Sequence, residues 1–408
     1  MAATVEAPAG GRLRLIVILG ALTAFGPLSI DMYLPALPSL SREFGDSPSQ
    51  TQLTLSACLL GLALGQTVAG PFSDALGRRR PLLVGLAAYA LASLLCAFAP
   101  SVGVLVALRF VQGCAAGIVI ARAVVRDMYS GVAVARYFAV LMLVNGLAPI
   151  LAPIFGGQLL RFTSWRGVFV TLTVVGLLLL LATATGLGET LPAERRQSGG
   201  LATTLATSRR LLGDRAFLGV ALSGGLAFAA MFSYISGSSF VLQDIFGVSP
   251  QQFSFIFGLN ALGIVVAGQV SGRLVGRVAP QRLLETGLIL QATGGVALLG
   301  MVTIGVGLAG VLPSLFLVVA SVGLVMPNAT ALALVGHPRT AGSASALLGV
   351  LQYAIGAAAA PLVGIGGTRT AMPMALVIAA LGVCALICFT LFSRAAPRRI
   401  LPSSRVVA

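Results

Sequence analysis

Lysine is absent from this 408-residue chain, and charged residues of every kind make up only 9% of it. A soluble domain carries about a quarter charged residues, so a soluble globular fold is excluded. Histidine occurs once. The five cysteines (Cys58, Cys96, Cys114, Cys384 and Cys388) fall in apolar runs and form no metal-type cluster with histidine. Cys384 and Cys388 lie one helical turn apart and read as small core residues. With no paired catalytic carboxylates either, the chain offers little for an enzyme to use, and we expect neither a metal nor another cofactor. The short alternating segments of a transmembrane β-barrel are missing. So is a signal-peptide cleavage pattern, and the first apolar run is long enough to remain as a membrane helix.

What is present is hydrophobic: 57% of residues, with a mean hydropathy of +1.00. Apolar runs of about 20 residues, enough to cross a bilayer as a helix, recur throughout. Hydropathy places helices near 14–38, 49–72, 81–99, 102–125, 136–160 and 166–187. A second set follows near 216–239, 250–272, 282–308, 311–334, 342–366 and 371–393. The fold class is therefore an all-α membrane protein with twelve transmembrane helices. The 50 glycines suit close helix packing. The net charge of +15 is carried by arginine. Most arginines fall at alternate loops and ends, which places both termini in the cytoplasm. Arg42, Arg161, Arg166 and Arg369 fall outside, Arg109 falls within a helix, and Arg122 and Arg126 read as cytoplasmic anchors. No basic-aromatic module points to nucleic acid. Trp165 is placed at the outer interface, where tryptophan anchors.

The longest polar stretch, GETLPAERRQSGGLATTLATSRRLLGDR (188–215), divides the chain. It reads as a cytoplasmic linker with a short surface helix near 201–212. Residues 1–187 and 216–393 then form two six-helix bundles, with 394–408 as a cytoplasmic tail. The halves also echo each other. FGDSPSQ (44–50) returns as FGVSPQQ (246–252), and VAGPFSDAL (68–76) as VAGQVSGRL (266–274). In the first pair, Ser-Pro suits an N-cap followed by the first helical residue. Parallel repeats with a substrate site between them are a transporter architecture.

After the second helix comes GPFSDALGRRRP (70–81). Gly70 allows close packing, Asp74 can face the positive N-terminus of a neighbouring helix, and Gly77 permits a tight turn. Arg78 can join Asp74 and Asp127 in an ion network. The bland alternative is an ordinary basic loop. The pattern G-x-x-x-D-x-x-G-R-R resembles the signature loop of the major facilitator superfamily, and 268–277 is its weaker echo, with Gly272 where the first copy has Asp74. RFVQG (109–113) resembles the membrane-embedded arginine motif of proton-coupled members. NGLAPILAPIFGG (145–157) resembles the helix 5 motif of drug:proton antiporters; its Gly146, Gly156 and Gly157 supply contact surfaces, and Pro149 and Pro153 bend the helix. With DMYLPALP (31–38), ARAVVRDMY (121–129) and FSYISGSSFVLQDIFGVSP (232–250), the chain resembles the bicyclomycin and chloramphenicol resistance (Bcr/CflA) family of bacterial antiporters.

Asp31 is a carboxylate inside an apolar helix, which costs about 2.5–3.5 kcal/mol on insertion scales and marks a functional site. At 1.5 Å per residue it lies about 9 Å below the outer end of helix 1, and Arg109 lies about 10 Å into helix 4. The two charges share a layer. They read either as a proton-coupling pair or as a static pair holding the bundle together.

The family resemblance implies export of small amphipathic drugs, driven by protons entering across the bacterial inner membrane, by a monomer. Drug and proton compete through Asp31, and the 70–81 network locks the cytoplasmic side when the carrier faces outward and breaks when it faces inward. Helices 1, 5, 7, 8 and 11 line the cavity in that superfamily, which makes Tyr33, Asn145, Phe228, Phe232, Tyr234, Asn260, Gln352 and Tyr353 the candidate cargo contacts. A carrier of an endogenous metabolite in the same fold is the alternative.

Overall fold

The computed structural model describes residues 9–117, 124, 125, 127, 132–196, 201–337, 340–367 and 369–395. Arg122, Arg126 and the tail from 396 on lie outside the described residues. Eleven described helices are long and apolar enough to cross a membrane, and Val102–Gly117 is a shorter apolar one. The helices of the two halves are α1 (Ala9–Asp31), α2 (Pro48–Leu76), α3 (Arg79–Ala97), α4 (Val102–Gly117), α5 (Val132–Leu159) and α6 (Trp165–Gly186), then α7 (Arg215–Phe240), α8 (Pro250–Leu274), α9 (Pro280–Thr303), α10 (Leu308–Val335), α11 (Ala341–Val363) and α12 (Met372–Ala395). A short helix, Leu201–Leu212, sits in the linker where the sequence placed one.

Packing repeats between the halves. In the first half α2 packs on α4, α3 on α6 and α1 on α5; in the second, α8 on α10, α9 on α12 and α7 on α11. The halves meet through α2 against α11 and α8 against α5, again an equivalent pair. The α2–α4 crossing is a contact of glycines. A Cβ at Gly61 would lie 2.3 Å from the Phe110 carbonyl oxygen, and one at Gly113 would lie 2.2 Å from that of Cys58. Small residues let membrane helices approach this closely.

Local chemistry explains the repeated helix starts. Ser47 and Ser249 each accept the backbone N–H three residues on, while Gln50 and Gln252 reach back, closing two capping boxes. Gly45 and Gly247 precede them with φ of 69° and 68°.

The first span departs from the single helix expected over 14–38. It stops at Asp31, turns, passes through a 3₁₀ turn at Leu34–Ala36 and resumes as a short helix, Leu37–Phe44. Pro35 and Pro38 lack the N–H groups that would continue the ladder. Trp165 also departs from expectation. It is only 1% exposed, donates from Nε1 to Glu43 Oε2 at 2.6 Å, and carries the Arg166 guanidinium 4.3 Å above its ring. It joins α6 to the short helix rather than standing free at a lipid interface.

Hydrogen bonds between the halves cluster at the end opposite the linker, here the far end. Ser49 donates to the Pro361 carbonyl at 2.8 Å, Gln52 to that of Ser236 at 3.1 Å, and Ser56 to that of Ala357 at 2.8 Å. Ser239 and Gln243 donate to the carbonyls of Leu34 and Pro35, at the break in the first span.

Candidate functional site: a cavity between the halves

Between the halves lies a cavity of about 770 Å³. Its lining runs from Asp31, Tyr234 and Phe257 to Gln66, Gly70, Thr330 and Gly342 near the linker end. With the far end closed by cross-half bonds, the cavity extends toward the linker side.

Six of the eight candidate cargo contacts line it: Asn145, Phe228, Phe232, Tyr234, Gln352 and Tyr353. Phe228 stacks on Phe232 at 6.0 Å and tilts against Tyr353 at 5.6 Å. Tyr234 stacks on Phe257 at 5.4 Å. Two candidates do not reach the cavity. Tyr33 is fully buried inside the first half, between the Phe169 ring and Thr54. Asn260 sits behind the wall and donates to the Tyr234 hydroxyl at 2.8 Å. Sequence places Asn260 on the right helix but not on a face, and Tyr33 falls in the turn after α1 ends at Asp31.

Asp31 is the only charged residue among the described residues that line the cavity. It is the last residue of α1, where the helix presents its carbonyl end and an anion is disfavoured. Among the described residues it has no hydrogen-bond or ion-pair partner, and the Tyr234 phenol is an electrostatic neighbour.

The expected Asp31–Arg109 pair is not formed. Arg109 is fully buried and donates from Nη1 to the Ser29 carbonyl at 3.0 Å and to Gln112 Oε1. Its guanidinium lies 5.1 Å from the Tyr33 ring centre and 5.6 Å from that of Phe169, both within cation–π range. Its contact with Ser29, two residues before Asp31, confirms the shared layer. The side chains at 29 and 31, however, leave a helix about 200° apart, so Arg109 belongs to the packed interior while Asp31 belongs to the cavity. Around Arg109, Gln112 donates to Ser93, and Tyr89 pairs with Ser29 at 2.6 Å. Gln112 belongs to the RFVQG stretch, whereas Ser29, Tyr89 and Ser93 gave no sequence signal beyond being polar within apolar runs.

The helix 5 motif divides between neighbours. Pro149 lines the cavity, Pro153 lies within α5, and Gly146 faces Val265 of α8. A Cβ at Gly156 would lie 2.0 Å from the Met32 carbonyl oxygen, directly after Asp31, and one at Gly157 would lie 2.2 Å from Ser254 Oγ in the other half.

At the linker end, Arg78 donates to Asp127 Oδ2 at 2.7 Å, Ser73 Oγ at 2.7 Å and Asp74 Oδ1 at 2.5 Å. Burial lowers its affinity for the proton, but the hydrogen bonds and charges of Asp127 and Asp74 outweigh this and hold it above the ordinary arginine value. Gly77 turns at φ 89° and Gly70 lines the cavity. One expectation changes here. The network is intact although the cavity reaches this end, because Arg78, Asp74 and Asp127 all belong to the first half and a movement between halves does not part them. The N-terminus of α3 is met by Glu189, just after α6, which accepts from the backbone N–H of Arg78 at 2.8 Å and of Arg79 at 3.3 Å. Burial raises the Glu189 carboxyl, yet the N–H groups of Leu191, Arg78, Arg79 and Thr190 together hold it below the ordinary glutamate value.

Comparison with known proteins fits this layout. The Major Facilitator Superfamily model matches residues 19–361. The chain belongs to the major facilitator superfamily. It is therefore a multi-pass membrane transporter rather than an enzyme. It is 43% identical over 371 residues to the MFS-type transporter YdgK of Bacillus subtilis strain 168, covering 90% of this chain and 92% of that one. It is 32% identical to the bicyclomycin resistance protein homolog of Haemophilus influenzae strain Rd, over 91% and 93% of the two chains. It is 28% identical to the multidrug resistance protein MdtL of Escherichia coli O45:K1, over 95% and 96%. Among solved structures, the nucleoside transporter NupG superposes with a TM-score of 0.78 at 12% identity, over 94% and 99% of the chains. A bacterial homolog of the lysosomal transporter Spinster superposes with a TM-score of 0.76 at 15% identity, over 95% and 98%. These two show the fold alone.

Proposed function

We infer that the protein exports small amphipathic drugs, of the chloramphenicol or bicyclomycin kind, in exchange for protons. The observation that carries this reading is Asp31: a carboxylate facing the cargo cavity with no described cation to fix its charge. A static structural acid would be paired. The aromatic wall and the few polar groups (Asn145, Gln352, Gln66) match what amphipathic ligands need. Relatives named for bicyclomycin and multidrug resistance support the same cargo class.

The cycle follows from competition for one site. With the linker and both termini in the cytoplasm of a bacterial inner-membrane protein, the described state faces inward. Cargo enters and favours the ionised Asp31. The halves rock, cargo leaves outside, and Asp31 takes up a proton there. The protonated carrier returns and releases the proton inside. Each inward charge gains about 2.3 kcal/mol per 100 mV. Protons serve as the coupling ion, no other cofactor is required, and the unit is a monomer.

The test uses inverted membrane vesicles with an acidified lumen. Adding chloramphenicol should release luminal protons, and a panel of nutrients should not. Asp31→Asn should abolish the drug-evoked signal while leaving the purified protein monodisperse. Proton movement evoked by a nutrient instead would favour the metabolite carrier.

A further inference from the structure

The far end is closed by bonds between positions that the internal repeat makes equivalent. Aligning FGDSPSQ with FGVSPQQ puts Arg42 opposite Asp244, and Ser49 opposite Gln251. The structure joins the first two directly: Arg42 Nη1 lies 2.7 Å from Asp244 Oδ1, across the two halves. One residue and its own repeat partner touch, so the contact sits on the pseudo-two-fold axis. There the repeat has diverged to opposite charge. Two identical residues at this point would repel if charged; one arginine and one aspartate attract.

The other pair closes the seam on either side. Ser49, at the start of α2, donates to the Pro361 carbonyl at the end of α11 at 2.8 Å. Gln251, at the start of α8, donates to the Gly157 carbonyl at the end of α5 at 2.8 Å. The two bonds start from equivalent donors and cross the axis in opposite directions. The side chain of Asp244 is 16% exposed and lies in a π-helical turn, Val241–Ile245, a distortion that recurs at functional sites. From the same turn Gln243 reaches the Pro35 carbonyl.

We propose that Arg42 and Asp244 form an axial latch that holds the far end shut and must part each time the cavity turns to that side. They are gating residues, remote from cargo. The proposal rests on the alternating-access reading, but not on the identity of the cargo. An exposed ion pair is worth little energy, yet it acts on an equilibrium between states of similar energy. Removing it shifts the ratio of far-end-closed to far-end-open molecules about two- to fivefold. Reversing one charge shifts it further, because attraction becomes repulsion.

Repeat equivalence supplies a decisive test. Arg42→Asp alone and Asp244→Arg alone should open the far end; the double exchange should close it again, because both positions sit on the axis. The readout is the distance between spin labels at Phe162→Cys and Ile365→Cys, exposed far-end sites in opposite halves, with the five native cysteines replaced by alanine. It needs no substrate, so failure of the latch and failure of the drug-export reading are separate results. Singles that lengthen the distance, with a double that restores it, support the latch and rule out misfolding. Singles that leave the distance unchanged, or a double that stays open, overturn it. If a reversal does not yield folded protein, Arg42→Gln and Asp244→Asn take its place. Each should then shift the populations, and the pair together should shift them no further than either one; additive effects overturn the latch.

Discussion

The two linker-end loops share a backbone and differ in chemistry. Gly77 and Gly276 turn at φ 89° and 91°, and Ser73 and Ser271 occupy equivalent places. In the first half Ser73 accepts from Arg78, which also holds Asp74 and Asp127. In the second, Gly272 replaces the aspartate, and Ser271 accepts from the neutral Asn328 of α10 at 2.8 Å. The membrane interior repeats the contrast. Asp31 and Arg109 belong to the first half, while the second buries neutral groups such as Gln291, Asn260 and Asn328. Duplication thus preserved helix packing and caps, whereas charge accumulated on one side. The proposed proton exchange asks only the first half to change ionisation and leaves the second as a neutral wall.

The largest effect that can break this comparison comes from exchanging equivalent arginines for alanine. Arg78→Ala leaves Asp127 without its cation in a buried setting and should cost about 2–4 kcal/mol. Arg277, at the matching place in the second loop, is exposed, and its removal should stay within about 0.5 kcal/mol. Denaturation of the detergent-solubilised variants measures both. Equal losses would mean that the loops are equivalent and the charge network is ornamental.

A smaller effect concerns α5 and its repeat partner α11. Gly157 meets Pro250 and Ser254 as Gly364 meets Ser49 and Gln52, so Val363 is the counterpart of Gly156, and Ala360 lies fully buried about one turn before it. In the second half the close approach is borne instead by α7, where a Cβ at Gly237 would meet Val363. Gly156→Ala should therefore cost about 1–3 kcal/mol through overpacking against Met32. It should also lower transport more than abundance, since Met32 follows Asp31. Ala360→Gly should cost about 0.5–1 kcal/mol, the helix-interior penalty. Transport per folded molecule separates the two variants.

What could be read from the sequence tracks how local the physics is. The Ser-Pro helix starts, the linker helix and the number of apolar helices follow from short-range pattern. Asp31 stood out because a membrane carboxylate is expensive. Its depth relative to Arg109 also followed, because rise per residue is fixed. Azimuth did not: whether Arg109 meets residue 29 or residue 31 depends on how α1 is rotated against α4, which packing of Tyr33, Tyr89 and Phe169 decides. The same ignorance of rotation sent Asn260 to the cavity wall, and Tyr33 was sent there because the turn after Asp31 went unread. Glu189 escaped notice for another reason. Its role requires the end of α6 to lie beside the start of α3, a contact spanning more than 100 positions.

The smallest expected effect tests whether that missed residue belongs to the asymmetry. The folded state holds the Glu189 carboxyl below the ordinary value, so its stabilising contribution is present at neutral pH and disappears as pH falls through the folded-state value. Unfolded chains then bind the proton more readily than folded ones. The melting-temperature gap between the wild type and Glu189→Gln should be open at neutral pH and close on acidification. If the Glu189 gap persists unchanged into acid, its contacts with the start of α3 are steric rather than electrostatic. The charged character of the first half would then end at Arg78.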